Sequence, residues 1–315
     1  MVNVSSVMSA RPFYTAVLET RNYVVGANNA PSGLYRRTAT GWVHAGWQNL
    51  RCAGLALDPT TPETIFLASG NGVLRSRDGG ATWRVTTDWR VAEVLGVALD
   101  PFAPGALYAA SAYGVWHSRD DGDAWAALPA PAPYPNATCT LALVPDAEEE
   151  GRLVIGTEDG LFESENGGRT WEPLGPRVAV GALAQSAARA EVWLAGTAGY
   201  GLLASTDGGR TWVPKAEGAT VYAVAIDPTD PQRLAAAGYE TGLWFSTDGG
   251  AHWHQRALDV PAQAFHALAF DPDYAGRLWL GTVGYGVFVT DDLGQTCEDA
   301  GLPETTLYDF AFGAA

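Results

Sequence analysis

The chain has 315 residues, 47% hydrophobic and 17% charged, enough apolar material for a sizeable core and incompatible with wholesale disorder. A formal net charge of −16 repels phosphate backbones, which sets nucleic acid aside as a partner. Apolar runs are short and broken by Gly, Asp or Pro, so no membrane-spanning segment is expected.

The N-terminal run MVNVSSVMSARPFYTAVLE has no basic stretch followed by a continuous apolar core, and no signal peptide is expected. Cys52, Cys139 and Cys297 are an odd set without paired spacing, which argues against a disulfide framework. Both points predict a cytoplasmic protein, or a secreted or periplasmic one if a leader has been removed. Two apolar runs follow, FYTAVLE and NYVVGANN, and then RTATGW (Arg37 to Trp42). That hexapeptide is a decayed copy of an octapeptide that dominates the rest of the chain.

Copies of the octapeptide begin at Ser76 (SRDGGATW), Ser118 (SRDDGDAW), Ser164 (SENGGRTW), Ser205 (STDGGRTW), Ser246 (STDGGAHW) and Thr290 (TDDLGQTC), 41 to 46 residues apart. Each copy sits in one larger frame. Residues 221–257 show it: an alternating apolar run ending in Asp-Pro, a loop, a second run, a Gly turn, GLWFS, the octapeptide and a fourth run. That is four short strands per repeat, with no sustained helical periodicity. About forty residues and four antiparallel strands describe a β-propeller blade. The prediction is an all-β chain with a single propeller domain over residues 1–315. Its seven blades cover about 13–47, 51–88, 95–130, 138–175, 178–216, 220–258 and 264–301. The tail TTLYDFAF (closing strand 305–311) reads as a first strand with no blade behind it. Two arrangements fit. The tail pairs beside NYVVGANN, so that both ends of the chain close the ring. Otherwise FYTAVLE is the inner strand of blade one and the tail packs elsewhere.

Each residue of the octapeptide has a task in a tight turn between strands three and four. Asp78, Asp120, Asp207 and Asp248, with Asn166 in the same place, can accept backbone N–H bonds. The adjacent glycines permit positive φ. Trp83, Trp125, Trp171, Trp212 and Trp253 begin the outer strand and are expected to pack over the turn and toward the next blade. The pattern resembles the Asp-box, or BNR repeat, S-x-D-x-G-x-T-W, over nearly the whole chain. Sialidases, xyloglucan-active glycosidases, the sortilin ectodomain and Ycf48-type photosystem assembly factors carry this box. The resemblance implies a propeller and leaves function open among these classes. The Asp residues read as turn staples rather than calcium ligands, since DDGDAW lacks the rest of an EF-hand loop. No metal or cofactor is expected.

In a propeller the octapeptide turns share one face with the loops after the first strands. The loops between strands two and three and those joining blades lie on the other. That second face is where ligand sites usually gather. Tyr113, Tyr200, Tyr239 and Tyr285 recur there with Glu158, Asp159 and Glu240. The blade-joining loops add Trp47, Arg51, Trp89, Arg90, Glu93, Tyr134, Asn136, Phe265 and His266. Trp47, Arg51, Trp89, Arg90, Tyr113, Tyr200, Tyr239 and Tyr285 are the candidate binding residues, forming an aromatic, mixed-charge surface suited to a protein hot spot or to sugar stacking.

Catalysis would need a constellation. A glycoside hydrolase needs two carboxylates about 5–10 Å apart, for which Glu93, Asp159 and Glu240 are the candidates. The sialidase likeness stops at the box: there is no Arg-Ile-Pro motif and no clear arginine triad with a tyrosine–glutamate pair. The xyloglucan-active enzymes use two facing propellers, and this chain has residues for one. Of the Ycf48 arginine patch, Arg51, Arg90 and Arg177 are at best partial representatives. There is no G-x-S-x-G elbow, and His252 and His254 read as surface histidines. The expected function is therefore a monomeric, non-catalytic platform for a protein partner. The alternative is a glycan-binding protein or glycoside hydrolase working on the same face.

Overall fold

The structure, a computed structural model, describes residues 11–20, 32–46, 52–131 and 139–314. Its strands form seven four-stranded antiparallel sheets. Blade six is representative: Thr220–Ile226, Leu234–Tyr239, Leu243–Ser246 and His254–Arg256, from the centre outward. The inner strands of blades two to five are Cys52–Leu57, Val94–Leu99, Thr140–Pro145 and Val180–Gln185. That of blade seven is Phe265–Phe270. Each inner strand contacts the inner strand of the next blade, and the circuit closes. The chain is a seven-bladed β-propeller.

The closure settles the two arrangements left open by the sequence. Thr305–Phe312 is the innermost strand of blade one, followed outward by Phe13–Thr20, Gly33–Thr38 and Gly41–His44. FYTAVLE is thus the second strand, and the tail pairs with it rather than packing elsewhere. NYVVGANN lies outside the described residues. The closed ring leaves as sheet edges only the short outer strands of the blades, which offer little template for aggregation.

The core lies between blades rather than at the centre. Seven clusters of buried residues occur, each drawn from two neighbouring blades. Second strands carry glycine where the next blade's inner strand crosses closely. A Cβ at Gly156 would lie 2.5 Å from the Val180 carbonyl oxygen, and one at Gly196 would lie 2.7 Å from that of Val221.

The octapeptide turns are alike in detail. In blade two, Asp78 Oδ1 accepts from Thr82 N–H (2.8 Å), Asp78 Oδ2 accepts from the Thr82 hydroxyl (2.6 Å), and Ser76 Oγ accepts from Gly80 N–H (2.8 Å). The same set recurs at Asp207 and Asp292, and Asn166 replaces it with an amide. At Asp248 the Thr is replaced by His252, whose Nδ1 lies 2.7 Å from Oδ2. Asp121 and Leu293 occupy a glycine place with φ of 55° and 54°. The turns of blades two to six are also stitched to the loop after the first strand of the same blade, as by Gly79 N–H to the Glu63 carbonyl (3.0 Å) and Gly208 N–H to that of Glu191 (2.9 Å).

The octapeptide tryptophans reach the preceding blade, not the next one. Trp83 Nε1 donates to the carbonyl oxygens of Gly80 and of Ala45 in blade one (3.0 and 3.3 Å). Trp171 Nε1 donates to Pro129 in blade three (2.8 Å), and Trp42 Nε1 to Ala300 in blade seven (2.9 Å). The hexapeptide RTATGW therefore helps to seal the ring. The outer strands are only two to four residues long, so the indole bridges where the sheet itself ends.

These turns give the fold an acid sensitivity. The Thr82 hydroxyl, the Thr82 N–H and Ser76 hold the Asp78 carboxyl at about 2, and the Thr211 hydroxyl leads the same effect at Asp207, also about 2. Both values lie below an unfolded aspartate near 3.9. The resulting stabilisation is present in full above about pH 4 and is lost as pH falls toward 2. An acid titration followed by Trp fluorescence should place the unfolding midpoint in that window. Asp207→Asn, which copies Asn166, should flatten the pH slope there. An unchanged slope would refute the assignment.

Candidate functional site

The loops between second and third strands are built on a buried hydroxyl. Ser111 Oγ donates to the Gly114 carbonyl oxygen (2.9 Å) and accepts from Tyr113 N–H (3.1 Å). Thr157 does the same for Gly160 and Asp159 (2.9 and 3.1 Å), and Thr282 for Gly286 and Tyr285 (2.7 and 3.2 Å). The hydroxyl fixes the turn, and the residue at its tip is held outward on a rigid base.

On this face stand exposed aromatic side chains: Trp89 at 89% exposure, Tyr113 at 66%, Tyr239 at 50% and Tyr200 at 41%. Trp89 and Tyr113 belong to adjoining loops, joined where Ala112 N–H donates to the Glu93 carbonyl oxygen (3.1 Å). Tyr285 differs: it is half-buried and packs against the core between blades six and seven. Trp47, Arg51, Tyr134 and Asn136 lie outside the described residues.

The charged groups of this face are tied to neighbours. Arg90 forms a two-pronged pair with Asp88, and Arg177 pairs with Asp159. Tyr239 bonds to Glu240, which pushes the phenol up. Glu93 and Glu240 sit at turn corners with φ of 48° and 54°, and Glu240 N–H donates to the Gln263 carbonyl oxygen (2.7 Å). The three candidate carboxylates are on separate loops: Glu93 before the inner strand of blade three, Asp159 in blade four and Glu240 in blade six. Among the described residues no group of three or more His, Cys, Asp or Glu is arranged to hold a metal.

The same face opens on the central channel, of about 210 Å³, lined by all seven inner strands. Each inner strand has a β-bulge near its start, and the extra residue faces the channel. On blades two to five it is Ala53, Leu95, Leu141 and Gly181. On blades six, seven and one it is Tyr222, His266 and Tyr308. The rings meet edge to face, Tyr222–His266 at 4.6 Å and His266–Tyr308 at 4.8 Å between centroids. Burial pushes His266 below its ordinary range, which keeps the imidazole neutral at pH 7.

The residue after the bulge is small on six blades: Gly54, Gly96, Ala142, Ala182, Ala223 and Ala267. On blade one it is Asp309. Its Oδ2 accepts from Leu55 N–H (2.9 Å) and its Oδ1 from Phe310 N–H (2.8 Å). Burial outweighs those bonds and pushes the carboxyl up to about 7. In the sequence His266 reads only as a loop residue, and VYAVAI and TTLYDFAF read as plain strands. Aligning the seven first strands shows the signal: three aromatic rings in one column and a lone carboxylate in the next.

Fold and site together define a β-propeller with a rigid aromatic loop face around a polar channel mouth. Neither a family model nor a curated protein matches the chain. Solved structures do. A GH74 enzyme from Niastella koreensis superposes with a TM-score of 0.72 at 18% identity, over 84% of this chain and 50% of that one. The GH74 xyloglucanase from Xanthomonas campestris gives 0.69 at 24% identity, over 97% and 55%. YCF48 from Cyanidioschyzon merolae gives 0.63 at 16% identity, over 82% and 87%. The chain thus spans about half the length of the GH74 enzymes. At these identities the likeness concerns the fold alone. Among the described residues no helix is long and apolar enough to cross a membrane.

Proposed function

We propose that this propeller is a non-catalytic platform that docks a protein partner on its aromatic loop face. The observation that carries the reading is the set of four aromatic side chains, Trp89, Tyr113, Tyr200 and Tyr239, standing exposed on one face. Large rings held in water on fixed turns bring contact area at little entropic cost, the usual make-up of an interface hot spot. Their surroundings support it, since Arg90 and Asp159 are already paired with Asp88 and Arg177, and Glu240 with Tyr239. The similarity in extent to YCF48 also supports it. The chain covers 97% of a second YCF48 structure, one bound to D1 peptide, with a TM-score of 0.59 at 16% identity.

The test compares wild type with the triple variant Trp89→Ala/Tyr113→Ala/Tyr239→Ala. Quantitative pull-down should lose a specific partner by at least about tenfold in the variant. The melting temperature should stay within about 2 °C, because these side chains are exposed. Equal capture by both forms would overturn the reading. A glycan array with clear hits, weakened by the same substitutions, would replace it with the sugar-binding one.

A further inference from the structure

Among the described residues no Lys or Arg pairs with the Asp309 carboxylate, whose hydrogen bonds come from the Leu55 and Phe310 N–H groups. The described residues of the channel wall include no Lys or Arg, and the other ionisable groups among them are His266, Tyr222 and Tyr308. Among its described residues, blade two, packed against Asp309, offers the Leu55 N–H and lines the wall with Ala53 and Gly54. The adjoining second strand of blade one offers Thr15, whose hydroxyl donates to the Asp309 backbone carbonyl oxygen (2.9 Å). A half-buried carboxylate facing a narrow channel is costly to ionise unless something charged meets it there. Aromatic rings line the approach from three consecutive blades, and the four remaining bulges are small or aliphatic. An aromatic wall beside a carboxylate is the chemistry that recognises an organic cation.

We propose that the channel mouth binds a small organic cation, an alkylammonium or guanidinium group, against Asp309 and alongside the contiguous rings of Tyr222, His266 and Tyr308. At about 210 Å³ the channel lies below the ~300–1,000 Å³ of pockets for drug-sized ligands, so it takes a side chain or a small amine rather than an oligosaccharide. The net charge of −16 draws cations toward the molecule, and a neutral His266 does not repel them. The cation can be a free amine or a Lys or Arg side chain of a docked protein. Only the second source rests on the platform reading.

The probe is n-butylammonium, titrated calorimetrically into the full chain at low ionic strength. Because Asp309 ionises at about 7, binding should tighten about tenfold between pH 6 and pH 8 and release protons at pH 7. Asp309→Asn should abolish binding. Tyr222→Leu, at a partly exposed ring whose loss leaves the fold intact, should weaken it about tenfold. No heat at pH 8 with folded wild type, or equal and pH-independent affinity in wild type and Tyr222→Leu, would overturn the proposal. A Gly-Gly-Lys-Gly-Gly peptide binding more tightly than the amine would support the site with a protein side chain as the source. Equal binding would support it with a free amine. Failure with butylammonium beside successful partner capture overturns the cation site alone. The reverse pattern overturns the platform alone.

Discussion

Ending the chain at Leu302 is expected to leave no cooperatively folded protein. The missing segment, Thr305–Phe312, is the inner strand of blade one and pairs with seven residues between Phe13 and Thr20. It also touches the inner strands of blades two and seven, so its loss opens two blade interfaces at once. Leu307 and Phe310 leave the core between blades seven and one, and Phe312 leaves its stack on Phe13, 4.1 Å between centroids. Losing two large buried side chains costs about 2–5 kcal/mol each, and the lost strand pairing adds to that. The total meets or exceeds the ~5–15 kcal/mol that holds a typical domain folded. Calorimetry should show no unfolding transition for the truncated chain. A synthetic peptide covering residues 303–315, added in trans, should restore one. A transition within about 5 °C of the full chain would show that the ring does not depend on this strand.

Arg152→Ala is expected to destabilise the protein by about 3–5 kcal/mol, the usual consequence of removing one partner from a buried ion cluster. The Arg152 side chain is 1% exposed. Its Nη1 donates to Asp146 Oδ2 (2.6 Å) and its Nη2 to Glu163 Oε2 (3.0 Å), while the guanidinium lies over the Trp193 ring of blade five at 5.6 Å. Burial pushes the Asp146 carboxyl up, but the Glu148 N–H and further bonds, including the guanidinium, hold it below the ordinary range. Without Arg152 a buried carboxylate is left uncompensated and the indole loses its cover. Urea denaturation measures the loss directly. Arg189→Ala, which breaks an exposed pair with Glu191, is the control and should cost under about 0.5 kcal/mol. Equal effects from the two substitutions would mean that burial is not what gives Arg152 its weight.

What could be read from the sequence was what is local. The octapeptide turn is made by bonds between residues two and four apart, such as Ser76 to Asp78 and Asp78 to Thr82, so every copy announces itself and the repeat spacing yields seven blades. The direction of the octapeptide tryptophans is not legible in the repeat, because it depends on which neighbouring blade the indole packs against, as Trp83 does on blade one and Trp212 on blade four. The closing strand stayed ambiguous because Thr305–Phe312 and Phe13–Thr20 are nearly 300 residues apart and both read as apolar strands. The channel mouth was missed because no single repeat contains it. Tyr222, His266 and Tyr308 come from three blades, and only a bulge that breaks the two-residue alternation turns them inward. Tyr285 reads like Tyr113 in sequence, yet its ring is half-buried against blade six, because loop geometry rather than composition decides which way it lies.

The seam of blade one also has a mechanical side. Phe13 lies opposite Phe312 and Thr20 opposite Thr305, and Gly313 N–H still donates to the Pro12 carbonyl oxygen (2.7 Å). Both strands therefore emerge from the same end of the pair. A force applied between residues 12 and 313 peels their bonds one after another instead of loading them in parallel. A ring that resists heat as a unit would then yield to a weak tug at its ends, as a zip does when pulled from its open end.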